Sequence, residues 1–259
     1  MEELDLKSFL EKYRGTSVDF YRFPGNYGDS VIWHGTKILL SSLNIKEQYV
    51  DISSPKYNNI LFIDGGGNFV DYYSDVRDFL IKKASLYDDI IILPHTIFGD
   101  RQVKVLNNIL GNLVVFCRER VSANFLEKKL AHGKVYLWHD CAFYNSFQKT
   151  STGKGTLNAF RSDKESILGK LPELNEDISY SGYTTKPLDD FIDILQKHEC
   201  VNTDRLHVAI GATLLDKKVK LYSNSYYKNK AVFEYSLKKF PNVSFFDATS
   251  TILYLCHQE

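Results

Sequence analysis

The sequence lacks long hydrophobic runs and an excess of charge of either sign. Its 259 residues include 32 Lys plus Arg and 32 Asp plus Glu, so the formal net charge is zero. A neutral chain has no overall electrostatic attraction for polyanions, which argues against a nucleic-acid partner. Apolar runs such as residues 90–93 are far shorter than the roughly 20 residues that a membrane-spanning helix needs. The sequence therefore predicts neither a nucleic-acid-binding protein nor a membrane-spanning one.

Cysteine is also scarce, with four widely spaced residues at Cys117, Cys141, Cys200 and Cys256. The absence of a CxxC pair argues against a zinc knuckle or a disulfide framework, so buried free thiols are expected. Residues 1–15 are charged and amphipathic, with neither the basic nor the apolar region of a secretory signal. We therefore expect a cytoplasmic protein.

The composition that is present, 44% hydrophobic and 14% aromatic, is typical of a globular protein. Short β-branched and aromatic runs alternate with amphipathic stretches, the pattern of βα units around a parallel sheet. Strands are predicted in the first half near residues 17–23, 60–64, 90–94, 113–118 and 135–139, and in the second half near 157–161, 178–180, 199–201, 219–222 and 243–246. Helices are predicted over residues 187–197 and 228–239.

A polar, glycine-bearing stretch over residues 145–156 has no periodicity and is typical of an interdomain connection. The sequence therefore predicts two Rossmann-like, doubly wound α/β domains, residues 1–145 and 146–259, that face each other across a cleft. In open α/β sheets, ligands bind beyond the carboxyl ends of the strands. The residues that follow each strand are therefore the candidates for function.

Two glycine-containing segments follow the first two strands. In residues 24–30, PGNYGDS, backbone N–H groups can face an anion or a substrate hydroxyl, although a tight βα turn with Asp29 as the helix N-cap explains the segment equally well. Three successive glycines at residues 65–67 allow close approach of ligand or backbone, and structural packing explains them equally well. Their spacing fits neither a dinucleotide fingerprint nor a P-loop.

The next three strands end in titratable residues. His95 is expected at a strand end where solvent and substrate meet, although a surface or internally bonded histidine is the more common case. Among residues 117–120, CRER, we expect at least one arginine to form an internal ion pair. His139 and Asp140 are neighbours on a strand and would point to opposite faces, so they do not form a dyad.

The second half carries the sharper candidates. Arg161 and Asp163 share one face of an extended segment and can pair with each other. In residues 203–207, TDRLH, Thr203 or Asp204 is expected to cap the following helix, which places Arg205 and His207 in its first turn.

A helix amino terminus favours anions, so Arg205 there offers a fork for a phosphate or carboxylate. His207 faces the same ligand only if it lies in that first turn. Lys228 follows a later strand and is a further anion-site candidate, with a surface lysine as the more common alternative.

Eight motifs in chain order resemble the polysaccharide pyruvyl transferase family and span both halves of the chain. They are NYGDS at 26–30, DGGGNF at 64–69, LPHT at 93–96, CRER at 117–120, HDCAF at 139–143, FRSD at 160–163, TDRLH at 203–207 and NSYYKNK at 224–230. The resemblance implies a GT-B-like pair of Rossmann-type domains. It also implies transfer of a pyruvyl group from phosphoenolpyruvate onto two hydroxyls of a sugar in a cell-surface glycan, with loss of phosphate.

The resemblance also implies roles for individual residues. Arg205 would hold the phosphate or carboxylate of the donor, with Leu206 beside it, and His207 would be the leading acid or base. Arg161 would be a second anion clamp. The remaining candidates are His95 as a second acid or base, Asp29 and Asn26 to orient acceptor hydroxyls, and Lys228, Gly28, Gly66 and Gly67 as further contacts to bound ligand.

No cofactor and no obligatory metal are expected, because no residue cluster has metal-ligand spacing and the phosphate can be neutralised by arginine and lysine. The expected partners are phosphoenolpyruvate and a sugar acceptor, with an undecaprenyl-diphosphate-linked precursor and peripheral contact with the inner face of the membrane left open. No oligomeric state is predicted. The alternatives are a nucleotide-sugar-dependent GT-B glycosyltransferase and a non-catalytic glycan-binding or assembly protein with the same fold.

Overall fold

The computed structural model describes residues 2–23, 25–149, 152–179 and 188–247. By internal contacts the chain divides into two units. Unit 1 comprises Met1–Phe23 and Ile32–Tyr144, and unit 2 comprises Pro24–Val31 and Asn145–Glu259.

Within its described residues, unit 1 is built on one parallel sheet. Its strands are β1 (Glu2–Glu3), β2 (Ser17–Tyr21), β3 (Lys46–Val50), β4 (Ile60–Ile63), β5 (Gly66–Phe69), β6 (Asp89–Ile97), β7 (Asn112–Cys117) and β8 (Lys134–Leu137). The strand order is β1-β8-β7-β6-β4-β2-β3, and β5 pairs with the last residues of β6. The central strands β4, β6 and β7 are apolar and almost wholly buried, as expected for a sheet covered on both faces.

Helices follow strands β1, β2, β5, β6 and β7 along the chain. They are α1 (Leu6–Leu10), α2 (Tyr27–Ser42), α3 (Asp75–Lys83), α4 (Asp100–Asn107) and α5 (Arg120–Lys129). The Glu119 carboxylate accepts hydrogen bonds from the backbone N–H groups of Val121 and Ser122 and so caps α5. The first turn of α2 belongs to unit 2.

Unit 2 contains a second parallel sheet with the order β12-β11-β10-β9. Its strands are β9 (Thr156–Asn158), β10 (Cys200–Thr203), β11 (Lys218–Tyr222) and β12 (Val243–Phe246), and its described helices are α6 (Leu188–Gln196), α7 (Leu206–Leu214) and α8 (Lys228–Val232), which continues into a π-helical turn over Phe233–Leu237. Helix α7 is buried on nearly all sides, so its sequence shows no polar face.

The predicted α/β class with parallel sheets is confirmed, and the predicted cleft between two facing domains stays a prediction. Three strands of unit 1, β1, β3 and β5, were not predicted. The predicted strand at 178–180 is wrong in its described part, because residues 178–179 form a turn. The strand predicted to end at residue 94 continues to Ile97, because β5 pairs with its last residues.

The described cysteines Cys117, Cys141 and Cys200 are free, and the first two are buried, as predicted. Burial raises the pKa of the thiols of Cys117 and Cys141. The fourth, Cys256, lies outside the described residues. The helices of the described ranges are all too short or too polar to span a bilayer.

Candidate active site

The start of α7 is built by the residues that follow β10. Thr203 ends the strand, and its hydroxyl donates to the carbonyl of Ala159 at 2.7 Å and accepts the Arg205 N–H at 3.0 Å. Arg205 occupies the N-cap position, and α7 begins at the buried Leu206. His207 therefore lies in the first turn, as predicted. The expected side-chain cap from Thr203 or Asp204 is wrong, because the Thr203 hydroxyl is bonded to the amide of the N-cap residue itself.

The Arg205 guanidinium is buried and held by two aspartates. Its Nε and Nη2 donate to the two carboxylate oxygens of Asp177, with an Nη2–Oδ2 distance of 2.6 Å. The same Nη2 lies 3.1 Å from Asp163 Oδ2. The pairing with Asp177 is the two-point geometry with which arginine binds a carboxylate or a phosphate.

Arg161 lies in the same group of charges. Its Nε and Nη2 donate to Asp163 at 2.7 and 3.0 Å, and its Nη1 donates to Glu165 Oε2 at 2.7 Å. Burial lowers the pKa of Arg161, but the hydrogen bond to Asp163 and the charge of Glu165 raise the pKa by more, so that it lies above its ordinary value. The predicted pairing of Arg161 with Asp163 is confirmed.

Lys228, at the start of α8, completes the group. Its Nζ donates to Glu165 Oε2 at 2.8 Å, and Asn224 Nδ2 donates to the same oxygen at 3.1 Å. The structure thus brings together the three cations that the sequence singled out. We call this the ion-pair cluster: Arg161, Arg205 and Lys228 with Asp163, Glu165 and Asp177.

Asp204 lies against the ion-pair cluster and is 1% exposed. Its Oδ1 accepts the Arg161 N–H at 2.8 Å, whereas its Oδ2 is buried and has no hydrogen-bond partner among the described residues. Burial raises the pKa of Asp204 to about 6, against the opposing effects of the Arg161 N–H and of the charges of Arg161 and Arg205. Asp204 is therefore a buried carboxyl whose pKa lies well above the ordinary value for an aspartate.

The loop that opens α2 is a capping box within unit 2. Asn26 is the N-cap: its Oδ1 accepts the Gly28 N–H at 2.7 Å, and the Asp29 carboxylate accepts the Asn26 N–H at 2.8 Å. The expectation that Asp29 is the N-cap is therefore wrong. The buried Ser179 also holds this loop, because it donates to Asn26 Oδ1 at 3.0 Å and accepts the Gly28 N–H at 3.2 Å.

Gly28 brings this loop next to the start of α7. A Cβ atom on Gly28 would lie 2.9 Å from His207 Nδ1, which is closer than side chains approach one another. Tyr27 stacks on Phe191 of α6, with ring centroids 5.8 Å apart. Asn26, Gly28 and the half-buried His207, which are far apart in the sequence, are therefore neighbours in the structure.

His95 is not at an exposed strand end, which corrects the expected position. It is 0% exposed within β6, where Nδ1 lies 3.2 Å from the Asp64 carbonyl and Nε2 lies 3.0 Å from Asn68 Oδ1. Burial, together with the charge of Arg118, lowers the pKa of His95 to about 3. A neutral imidazole has one N–H, which donates to only one of these two oxygens. A fully buried ring with so low a pKa is poorly suited to exchange a proton at neutral pH, so its acid or base role stays a prediction that this geometry does not favour.

Gly66 and Gly67 begin strand β5 rather than an open loop, and Gly65 directly precedes it. A Cβ atom on Gly66 would lie 2.6 Å from the ring of Phe23, and one on Gly65 would lie 2.8 Å from the carbonyl oxygen of Pro94. The packing of the sheet explains why these two positions need glycine. Contact of Gly66 and the half-buried Gly67 with a ligand stays a prediction.

Arg118 forms the internal ion pair expected for one arginine of the CRER motif, but its partner is Asp140. The distance from Arg118 Nη1 to Asp140 Oδ2 is 2.7 Å, and both side chains are almost completely buried. Arg118 Nε also donates to Thr96 at 2.9 Å. Asp140 thus pairs with an arginine, and the expectation that it forms no dyad with His139 stays a prediction.

Sequence reasoning missed the carboxylates of Glu165 and Asp177 and the hydroxyl of Ser179. Glu165 follows Arg161 by four residues, but the segment between them is not helical, so this spacing gave no signal. Asp177 lies 28 residues from Arg205 and is brought to it only by the fold. In the part of the chain that the structure describes, no group of three or more His, Cys, Asp or Glu side chains is arranged to hold a metal ion. The expectation of a reaction without a metal stays a prediction.

Comparisons with known proteins found a similar sequence, a similar structure and a matching family. A similar chain from Bacillus subtilis (strain 168), named "Putative pyruvyl transferase EpsO", is 24% identical over 274 residues, which cover 86% of this chain and 85% of that one. The crystal structure of a functionally uncharacterised protein from Klebsiella pneumoniae subsp. pneumoniae NTUH-K2044 is similar with a TM-score of 0.81 and 31% identity. The match covers 93% of this chain and 96% of the Klebsiella chain. The family model for polysaccharide pyruvyl transferase matches residues 26–226, so this chain belongs to the polysaccharide pyruvyl transferase family.

Proposed function

We propose that the protein transfers a pyruvyl group from phosphoenolpyruvate to two hydroxyls of one sugar residue, forming a pyruvate ketal and releasing phosphate. The acceptor would be a surface polysaccharide or its undecaprenyl-diphosphate-linked precursor, modified on the cytoplasmic side of the membrane. Membership of the family supports pyruvyl transfer onto a polysaccharide. The observation that carries the choice of donor is the convergence of Arg161, Arg205 and Lys228 beside the first turn of α7.

The reaction needs an acid, a base and groups that hold an anion. A proton adds to the methylene carbon of the enol phosphate, and a first sugar hydroxyl attacks the neighbouring carbon and gives up its proton. The carbon–oxygen bond to phosphate then breaks, and a second hydroxyl closes the ketal with loss of its proton. The products are the ketal and inorganic phosphate, and no oxidant or reductant is needed.

Arg205 and Arg161 are suited to hold the donor. Each is a buried guanidinium that already binds carboxylates, which have the charge and planar oxygen geometry of the donor's own carboxylate. The amino terminus of α7, with Leu206 as its first residue, adds partial positive charge at the same place. Lys228 would contribute a third positive charge through its position beside Glu165.

His207 is the group best placed to move a proton beside this donor site. It is half-buried, lies two residues after Arg205, and contacts the loop that contains Asn26 and Asp29. In this proposal Asn26 and Asp29 orient the acceptor hydroxyls, and His207 exchanges protons with them or with the donor. The reaction would need no obligatory metal, because arginine and lysine neutralise the phosphate.

The test is to incubate purified protein with phosphoenolpyruvate and a panel of galactose-, mannose- and glucose-terminated acceptors, with and without a lipid diphosphate. Phosphate release and acceptor mass are measured together. The proposal expects one acceptor to gain the mass of pyruvic acid less one water while phosphate is released. Two matched samples accompany the wild type. The first contains the His207→Ala variant, which should bind the donor but show no turnover. The second contains the wild type with a chelator, which should have no effect on turnover.

Transfer of a sugar from a nucleotide-sugar instead of phosphoenolpyruvate would replace the proposal with a glycosyltransferase activity. Glycan binding without turnover of either donor would indicate a non-catalytic member of the family. Wild-type turnover by His207→Ala would remove the role given to that residue but would leave the reaction in place.

A further inference from the structure

Arg205 is already bound to an anion of the protein itself, and this bears on how the proposed donor would enter. Asp177 fills the guanidinium fork through both of its oxygens. Its Oδ2 also accepts the N–H of Ser162 at 2.9 Å and the Ser162 hydroxyl at 3.1 Å. The Asp177 carboxylate therefore occupies the place on Arg205 that a carboxylate or phosphate of a ligand would take.

Asp163 is connected to the same arginine in a different way. Its Oδ2 accepts a hydrogen bond from Arg161 Nη2 at 3.0 Å and one from Arg205 Nη2 at 3.1 Å, so one oxygen bridges the two guanidinium groups. Its Oδ1 accepts Arg161 Nε at 2.7 Å and the Glu165 N–H at 3.0 Å. These local bonds hold Asp163 in place whether or not Arg205 binds another anion.

The charge balance of the ion-pair cluster determines which of its carboxylates an anionic donor would displace. Three cations face three carboxylates, and the carboxyl of Asp204 lies against them as a fourth acidic group. A donor that carries a carboxylate and a phosphate would bring several negative charges into a buried, low-dielectric site, where unbalanced charge is costly. A carboxylate has to leave before the cluster can hold such a ligand. Of the two carboxylates on Arg205, Asp177 is the one whose departure leaves the Asp163 bridge between Arg161 and Arg205 intact.

Resting on the function proposed above, we infer that the two aspartates on Arg205 have opposite roles toward the donor. Asp163 is a positioning residue that holds Arg161 and Arg205 together as a single anion clamp. Asp177 is an internal occupant of that clamp, which the donor displaces. Removal of the Asp163 charge therefore weakens donor binding, whereas removal of the Asp177 charge strengthens it.

The experiment measures the Kd of phosphoenolpyruvate by titration calorimetry for the wild type, Asp177→Asn and Asp163→Asn. Glu199→Gln removes one exposed carboxylate elsewhere in unit 2 and controls for the change in net charge. Asp177→Asn is expected to lower the Kd by about tenfold, because a competing occupant is removed, and Asp163→Asn to raise it by about tenfold. Glu199→Gln is expected to change it by less than about twofold, because exposed charges are screened.

Two further measurements separate these roles from a general loss of structure. Asp163→Asn should raise the KM for the donor by a larger factor than it lowers kcat, because it acts through the donor clamp. Ser162→Ala removes only the hydroxyl bond to Asp177 and leaves every charge in place, and it should lower the Kd in the same direction as Asp177→Asn but by less. This second variant provides the test if Asp177→Asn does not fold.

The inference is overturned if Asp177→Asn and Ser162→Ala leave the Kd unchanged or raise it, or if Asp163→Asn lowers it. If that happens while Arg205→Ala still abolishes donor binding, the proposed function survives without the inference. Inorganic phosphate is titrated in parallel. If the Kd of phosphate falls in Asp177→Asn and rises in Asp163→Asn but phosphoenolpyruvate does not bind, the inference holds for the anion site and the proposed donor is wrong. Failure of both anions to bind contradicts both.

Discussion

Gly28 and His207 lie so close together that no side chain fits between them. A Cβ atom on Gly28 would come 2.9 Å from His207 Nδ1, 3.2 Å from His207 Cβ and 2.9 Å from Asn26 Oδ1. This contact joins the first motif of the sequence to the motif at the start of α7. It requires glycine for space rather than for backbone freedom, because Gly28 lies in the first turn of a helix.

Gly28→Ala should therefore impair turnover more than stability. Alanine favours a helix over glycine by about 1 kcal/mol, which offsets part of the crowding, but the imidazole of His207 and the side-chain amide of Asn26 must move. We expect kcat to fall at least tenfold with a small change in Tm, as measured by phosphate release and thermal unfolding. Gly169→Ala is the matched control, because nothing lies within 4 Å of its Cβ position. An unaltered kcat in Gly28→Ala would show that the contact does not position His207.

Burial of His95 gives the stability a specific pH dependence. With a folded pKa of about 3, His95 stays neutral in the native state, while in the unfolded chain it gains a proton below about pH 6.5. As the pH falls below about 6.5, the free energy of unfolding of the wild type should fall by about 1.4 kcal/mol per pH unit relative to that of His95→Gln. Denaturant unfolding at several pH values measures this difference. Parallel curves for the two proteins would show that His95 protonates in the folded state.

Asp204 should have the opposite linkage to pH. Its folded pKa of about 6 lies above that of an unfolded aspartate. The native state is therefore destabilised at pH values where the carboxyl is ionised in both the folded and the unfolded chain. The penalty is absent below about pH 4, develops up to about pH 6, and is on the order of 3 kcal/mol above that. We expect Asp204→Asn to be more stable than the wild type at neutral pH and to lose this advantage in acid. A difference that is independent of pH would contradict the raised pKa.

The ion pair between Arg118 and Asp140 should be structural. Asp140→Ala would leave the buried Arg118 guanidinium without its carboxylate, which costs about 3–5 kcal/mol. Chemical denaturation should detect this loss, while phosphate release by the folded fraction stays near the wild-type level. Lys218→Ala breaks an exposed pair with Glu199 and should leave the midpoint unchanged. Equal midpoints for Asp140→Ala and the wild type would refute this account.

The sequence predicted those strands whose hydrophobic pattern matches their burial in the fold. Strands β4, β6 and β7 are continuous apolar runs in a buried sheet. The missed strands follow other rules. Strand β3 reads KEQYV and is largely exposed at the sheet edge, and β5 reads GGNF and pairs with the end of β6. Their position in the sheet, rather than their own composition, makes them strands.

The same contrast holds at the candidate site. The cations Arg205 and Lys228 were identifiable because each stands where a helix follows a strand. Their carboxylate partners were not, because Asp177 comes from an irregular segment whose place depends on the whole fold of unit 2. His95 was misplaced for a related reason. The end of β6 depends on the pairing with β5, which the residues around His95 do not encode.

The most direct measurement is a calorimetric titration of the wild type and Arg205→Gln with phosphoenolpyruvate, alongside a set of nucleotide-sugars. The account predicts that phosphoenolpyruvate binds the wild type, that Arg205→Gln weakens this binding by at least about a hundredfold, and that nucleotide-sugars do not bind. Binding of a nucleotide-sugar without binding of phosphoenolpyruvate, or equal donor affinity in the two proteins, would contradict the assignment of this site to an enol phosphate donor.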